Sequence, residues 1–184
     1  MKRITLLSTA AFASFALAGC NTRADETPAP APVETTAAQV AEAPASATEP
    51  EVEPNGTIIE VQMLTRDPDG GDMQVFKPKI IKAKVGDTIK FIPTDPTHQS
   101  SSIAGMLPEG ARGWQGEINK EVSYVVPKPG VYGFECIPHY AAGMIGLIIV
   151  EGEGMEANVA AAKAVTHPGL AGKKFAELFT EAGL

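Results

Sequence analysis

Cysteine and histidine are scarce in this chain, whose 184 residues hold two of the first and three of the second. Two cysteines cannot staple a disulfide scaffold, and three histidines cannot furnish several histidine-rich metal centres. One mononuclear site is the most that Cys and His can build here. Positive charge is also short: 15 Lys and Arg stand against 22 Asp and Glu, for a formal net charge of -7. Nucleic acid is excluded as a partner, because neutralising phosphates takes clustered basic side chains. Aromatic residues are only 6%, with one tryptophan, but hydrophobic residues at 44% suffice for a core over part of the chain. The apolar stretch from Ile4 to Leu17 is too short and too rich in Ala and Ser to span a bilayer.

That stretch follows Lys2 and Arg3 and ends in Leu17-Ala18-Gly19-Cys20. Residues 1–19 read as an export signal, and the last four residues resemble the lipobox of bacterial lipoproteins. The resemblance implies cleavage before Cys20, acylation of its thiol, and a lipid anchor in place of a membrane helix. Asn21 follows where an Asp would favour retention at the inner membrane, so the outer membrane is expected. Residues 20–56 read as a disordered tether. From Asn21 onward they hold nine Ala, six Pro, seven acids and one base, with no aromatic residue, too little apolar surface to offset chain entropy. Fully extended, the tether would reach on the order of 100 Å.

A folded domain is expected over 57–154. Strands are predicted at Thr57–Leu64, within Met73–Val85, at Thr88–Ile92, Lys120–Val126, Gly130–Cys136 and Met144–Val150. Pro78 interrupts the second segment and marks an edge or a crossing between sheets. Short strands joined by Gly/Pro turns make the fold class mainly β, a Greek-key β-sandwich. Residues 155–184 change character. Two helices are predicted, Glu156–Val165 and Ala171–Ala182, broken by Thr166-His167-Pro168-Gly169, with Phe175, Leu178 and Phe179 on one face to pack on the sandwich.

The chemistry-bearing residues cluster in Cys136-Ile137-Pro138-His139-Tyr140-Ala141-Ala142-Gly143-Met144, between two predicted strands. His98 lies in another turn, after the strand ending at Ile92. Taken singly, Cys136 reads as a small buried hydrophobe, His139 as a surface residue and Met144 as core. Taken together, two His and one Cys with a weak axial Met form the ligand pattern of blue-copper electron transfer. Three donors from one loop pinned at both ends are held fixed, and His98 closes the site from a second loop. Zinc suits a thioether less well. His167, at a helix-breaking turn, stands outside this set.

At these residues the sequence resembles the cupredoxins, and among them the pseudoazurins. The resemblance rests on Cys136-x2-His139-x4-Met144, on Phe91-Ile92-Pro93-Thr94-Asp95 before His98, on Gly105-Met106-Leu107-Pro108-Glu109-Gly110-Ala111 after it, on Pro129-Gly130-Val131-Tyr132-Gly133, and on the helical tail. It covers residues 57–184. It implies that His98, Cys136, His139 and Met144 hold one copper ion, that His139 is the partly exposed edge for electrons, and that Pro138 shapes the loop. Two positions depart from the family's pattern. Gln99 stands where Asn is usual, so the side-chain clasp of the loop must differ. Glu135 precedes the cysteine where lysines usually ring the copper edge, leaving Arg66, Arg112 and Lys128 as candidate docking charges. Trp114 reads as core packing.

The resemblance further implies a non-enzymatic, monomeric shuttle of single electrons in the bacterial periplasm. Its partners would be cytochrome c-type donors and periplasmic reductases or oxidases such as nitrite reductase. Copper storage or delivery is the alternative, but six scattered methionines form no exchangeable cluster. A nitrite reductase or multicopper oxidase would need a second copper site, which three histidines cannot supply.

Overall fold

A computed structural model describes residues 52–184. The export signal, Cys20 and the tether up to residue 51 lie outside the described residues. Eight strands form two four-stranded sheets: β1 (Ile58–Arg66), β2 (Met73–Lys77), β3 (Ile80–Ala83), β4 (Thr88–Ile92), β5 (Ser101–Ser102), β6 (Val122–Val125), β7 (Gly130–Glu135) and β8 (Ile145–Val150). One sheet runs β2-β1-β4-β6 and the other β3-β8-β7-β5. Both are mixed, since β1 pairs with β4 and β3 with β8 in parallel. Pro78, after a cis peptide bond, separates β2 at the edge of one sheet from β3 at the edge of the other. The expected sandwich, with its crossing at that proline, is therefore present.

Between the sheets lies an aromatic core. Phe76, Phe91 and Phe134 meet edge-to-face, with centroids 4.8 to 6.1 Å apart. Trp114 stacks on Phe91 at 5.5 Å, and its Nε1 donates to the Ser100 hydroxyl at 3.1 Å. At 8% exposure it is core, as expected.

A strand in a two-layer sandwich would bury one face, yet residues 130–134 of β7 are all buried. The reason is a second layer. Tyr132, Phe134 and Cys136 face the sandwich core. Val131, with Ile145 and Leu147 from β8, joins a separate cluster under the C-terminal helices. Those helices are α1 (Val159–Ala164), preceded by a 3-10 turn at Met155–Asn158, and α2 (Ala171–Glu181). Phe175, Leu178 and Phe179 are buried on one face of α2, the face the periodicity predicted. α1 is shorter than expected because its Ala-rich run opens as that 3-10 turn. There Asn158 turns inward: its Oδ1 accepts from Val131 N–H at 2.9 Å and its Nδ2 donates to Val131 O at 2.7 Å. Strand β5 covers β7 only at Phe134 and Glu135, so the Asn158 amide supplies a pairing the short strand leaves open.

The far end of the sandwich is tied by Asp87. Its carboxylate accepts from Asn55 Nδ2 at 2.7 Å and from Lys84 N–H at 2.8 Å. Asn55 N–H also donates to Gly86 O at 2.9 Å, so the chain is bonded into the fold two residues before the expected boundary at 57. These bonds, the one from Asn55 foremost, hold the Asp87 carboxyl below its ordinary value. Asp87→Ala is expected to lower stability at neutral pH by about 1–3 kcal/mol, because two donors lose their acceptor. A carboxyl with a lowered folded-state pKa stabilises fully above its unfolded value, and that stabilisation is lost as the pH falls through the folded value. Urea denaturation at pH 7 and at successively more acidic pH should show wild type and variant converging in acid. A constant gap would remove the Asp87 charge from the explanation.

Candidate metal centre

Parallel pairing of β1 with β4 brings the ends of both strands to one end of the sandwich, where the chain leaves β4 for the loop bearing His98. That loop is heavily tied. Asp95 N–H donates to Met63 O at 3.1 Å and Thr65 N–H to the Asp95 carboxylate at 2.7 Å. Thr97, at φ 74°, donates its N–H to Asn119 Oδ1 at 2.6 Å, and Asn119 N–H returns to His98 O at 2.8 Å. His98 is 1% exposed. Its Nε2 lies 3.3 Å from Thr65 Oγ1, which leaves Nδ1 directed inward.

The second loop leaves β7 at Cys136 and returns at Met144. Cys136 N–H donates to Met144 O at 3.0 Å, closing the loop. Pro138 is the second residue of a single 3-10 turn, Ile137–His139, consistent with its preset φ and missing N–H. His139 N–H donates to Cys136 O at 2.9 Å, and Ala142 and Met144 donate to His139 O at 3.1 and 3.2 Å. The ring of His139 is thereby turned back over the sulfur.

The outcome is a triangle of three donor atoms. Nδ1 of His98 and Nδ1 of His139 are 3.1 Å apart. Cys136 Sγ lies 3.4 Å from Nδ1 of His139 and 3.9 Å from Nδ1 of His98. A point equidistant from the three lies about 2 Å from each, close to ordinary metal–nitrogen and metal–sulfur lengths. Among the described residues this is the group of three or more His, Cys, Asp or Glu that could hold a metal ion. Met144 is fully buried and shares the core cluster of Cys136. Burial pushes the Cys136 thiol up, against the pull of N–H groups from Gln99 and His139. Burial, and then the charge on His139, push His98 down. The Gln99 side chain is turned away from the sulfur into a local clasp, accepting from the Ser101 hydroxyl at 2.8 Å.

Residues 61–151 match the family of copper binding proteins that holds plastocyanin and azurin. Over 123 residues the chain is 42% identical to a pseudoazurin of Methylorubrum extorquens, covering 67% of this chain and 80% of that protein. The chain belongs to the pseudoazurin family. Solved pseudoazurins agree. That of Methylobacterium extorquens is 41% identical, with a TM-score of 0.63 over 68% of this chain and 98% of its own. That of Hyphomicrobium denitrificans is 34% identical, with a TM-score of 0.62 over the same shares. As a pseudoazurin, the protein is a type 1 copper electron-transfer protein, not an enzyme, with copper as its cofactor.

Several expectations about the pseudoazurin edge change with the structure. Lys128 precedes β7 and so stands at the opposite end of that six-residue strand from Cys136, roughly 20 Å away. It cannot serve the site's edge, and its ammonium donates to Glu109 O. Glu135 is half-buried; its Oε2 is buried without a hydrogen-bond partner among the described residues. Burial pushes its carboxyl up. Thr65 and Asn119 escaped the sequence reading, because only the parallel pairing and a long loop bring them to His98. Thr65→Val keeps the shape but removes the oxygen beside Nε2. It is expected to weaken Cu(II) affinity by about tenfold, the lower end for groups that orient a metal-bound histidine. A chelator competition titration would measure this; an unchanged constant would show that the hydroxyl does not orient the ring.

Proposed function

We propose that His98, Cys136 and His139 bind a single copper ion, with Met144 as a weak axial donor. The donor triangle carries this reading, because it joins two imidazole nitrogens and one sulfur at metal-binding separations. Bound there, copper supplies a one-electron couple between Cu(I) and Cu(II). The protein's part is to keep the donors still. Both loops are pinned by backbone bonds, so the ligand positions need not rearrange as the charge changes. His139 is half-buried and flanked by exposed Ile137, Pro138, Ala141 and Ala142, which gives a redox partner an apolar surface to approach.

In this reading the protein shuttles single electrons in the bacterial periplasm, as a monomer. It takes them from cytochrome c-type donors and passes them to periplasmic reductases or oxidases such as nitrite reductase. Cys20 carries the acyl anchor, at the outer membrane, and the residues between it and Asn55 form the tether. No helix of the described residues is long and apolar enough to cross a membrane, and lipidation requires none.

Two outcomes are expected at the copper site. With Cu(II), wild type should show an intense visible band from the Cys136 thiolate, and Cys136→Ser should lose it. Met144→Gln should keep copper while its potential falls in a redox titration. A pale, aqueous-like wild-type spectrum would refute the ligand set, and an unmoved potential would remove Met144 from it. For the anchor, Cys20→Ser should move the protein from membrane pellet to soluble fraction in expressing bacteria. An unchanged distribution would refute acylation.

A further inference from the structure

The loop between Cys136 and Met144 is internally hydrogen-bonded, but its outer side also carries a set of contacts that the sandwich does not provide. They come from residues 167–174, across the turn that separates α1 from α2. Leu170 N–H donates to Ala141 O at 2.8 Å. The Tyr140 hydroxyl is hydrogen-bonded to Nδ1 of His167. Gly169, at φ 55°, lies so close that a Cβ there would come within 2.3 Å of the Ala141 carbonyl oxygen. The stem of Lys174 lies against Gly143, where a Cβ would come within 2.5 Å of it. Gly143 itself sits at φ 86°, so the glycine serves both the backbone turn and this approach.

The segment that makes these contacts is itself anchored. The His167 ring lies 4.4 Å from that of Phe175, and Phe175 is buried in the cluster containing Ile145 and Leu147 of the sheet. Packing an amphipathic helix onto the sheet requires only its apolar face. It does not require a polar bond to the residue next to His139, nor a backbone bond to the residue after that. Four residues of this segment, His167, Gly169, Leu170 and Lys174, thus converge on Tyr140, Ala141 and Gly143, the stretch that follows His139 and leads to Met144.

We infer that residues 167–174 are an outer brace on this loop, and that Tyr140 and His167 are positioning residues that fix the ring of His139. The inference rests on the reading of His139 as a ligand. The brace acts through backbone geometry. Tyr140 and Ala141 directly continue the 3-10 turn of His139, whose carbonyl accepts from Ala142 and Met144. Holding Tyr140 and Ala141 from outside therefore holds the His139 peptide, and with it Nδ1.

The test uses the full chain, four single variants and the double variant that joins Tyr140→Phe to His167→Leu. Tyr140→Phe and His167→Leu each remove the side-chain bond, and His167→Gln keeps an acceptor in its place. Phe179→Leu loosens α2 without touching the loop. In the metal-free protein, amide exchange at Ala142 and Met144 should accelerate by roughly three- to tenfold in the first two variants, the range for one lost hydrogen bond. Exchange at Ile148 should not change. The double variant should add nothing to either single, since both remove one interaction. His167→Gln should restore most of the protection, and Phe179→Leu should leave the loop amides unaffected. With Cu(II) bound, Tyr140→Phe and His167→Leu should shift the ratio of the visible bands in the same direction. Wild-type exchange at Ala142 and Met144 in Tyr140→Phe, or additive effects in the double variant, would overturn the brace. Absence of an intense band in wild type would instead overturn the ligand reading, while exchange in the metal-free chain still reports on the brace.

Discussion

One backbone hydrogen bond organises the metal end of this protein: Cys136 N–H to Met144 O, at 3.0 Å. It extends the β7–β8 ladder one step beyond the last paired residues, Glu135 and Ile145. It thereby fixes where the chain leaves the sheet and where it returns. The seven residues between have little choice of path, and Pro138 sits in the tight turn that begins them. Without that closure, the turn that carries the sulfur and the His139 nitrogen would be held to the sheet at one end only. With it, two of the three donors move as one body, and the His98 loop has a fixed surface to close against.

Burial gives the same site its electrostatic character. It disfavours a charged sulfur at Cys136 and a charged ring at His98. The pocket is thus poor at holding charge by itself, and a cation is what makes a thiolate acceptable there. In the proposed site, metal uptake would release the thiol proton. The N–H groups of Gln99 and His139 aim at the sulfur beforehand, so the dipoles that stabilise the anion are in place before it forms. Nothing large need move, which suits a site whose charge changes by one unit.

Much of this was legible in the sequence, for reasons that can be named. Cys136 and His139 are close in the chain, in a loop bounded by strands, so their convergence follows from local geometry. His98 follows a strand with a clear alternating pattern, Thr88–Ile92, and so falls at a strand end. Pro78 marked a crossing because proline cannot sit inside a ladder. Non-local pairing was harder to see. The two-residue strand β5 has no pattern to detect. The two-sided burial of β7 depends on helices that begin more than twenty residues later. Lys128 was misplaced because composition does not show which end of a strand lies at the site, and the half-burial of Glu135 depends on neighbours that the sequence does not place. Tyr140 and His167 are 27 positions apart, and nothing in either residue type announces the pair. The lipobox and the tether up to residue 51 lie outside the described residues and stay with the proposed function.

Asn158 has a consequence beyond the packing of α1. A carboxamide carries the same donor and acceptor as a peptide group, and here it occupies the place of a neighbouring strand beside Val131. Exposed ladder positions are where sheets recruit foreign strands and begin to aggregate. Ile103 N–H and Met106 O take the next positions, bonding to Gly133 at 2.9 and 3.0 Å. The long side of β7 is thus sealed by a side chain and a loop instead of by a full strand. A second copy of the protein would therefore find no template for cross-pairing along this side of β7, and part of that seal is a side chain of the helical tail.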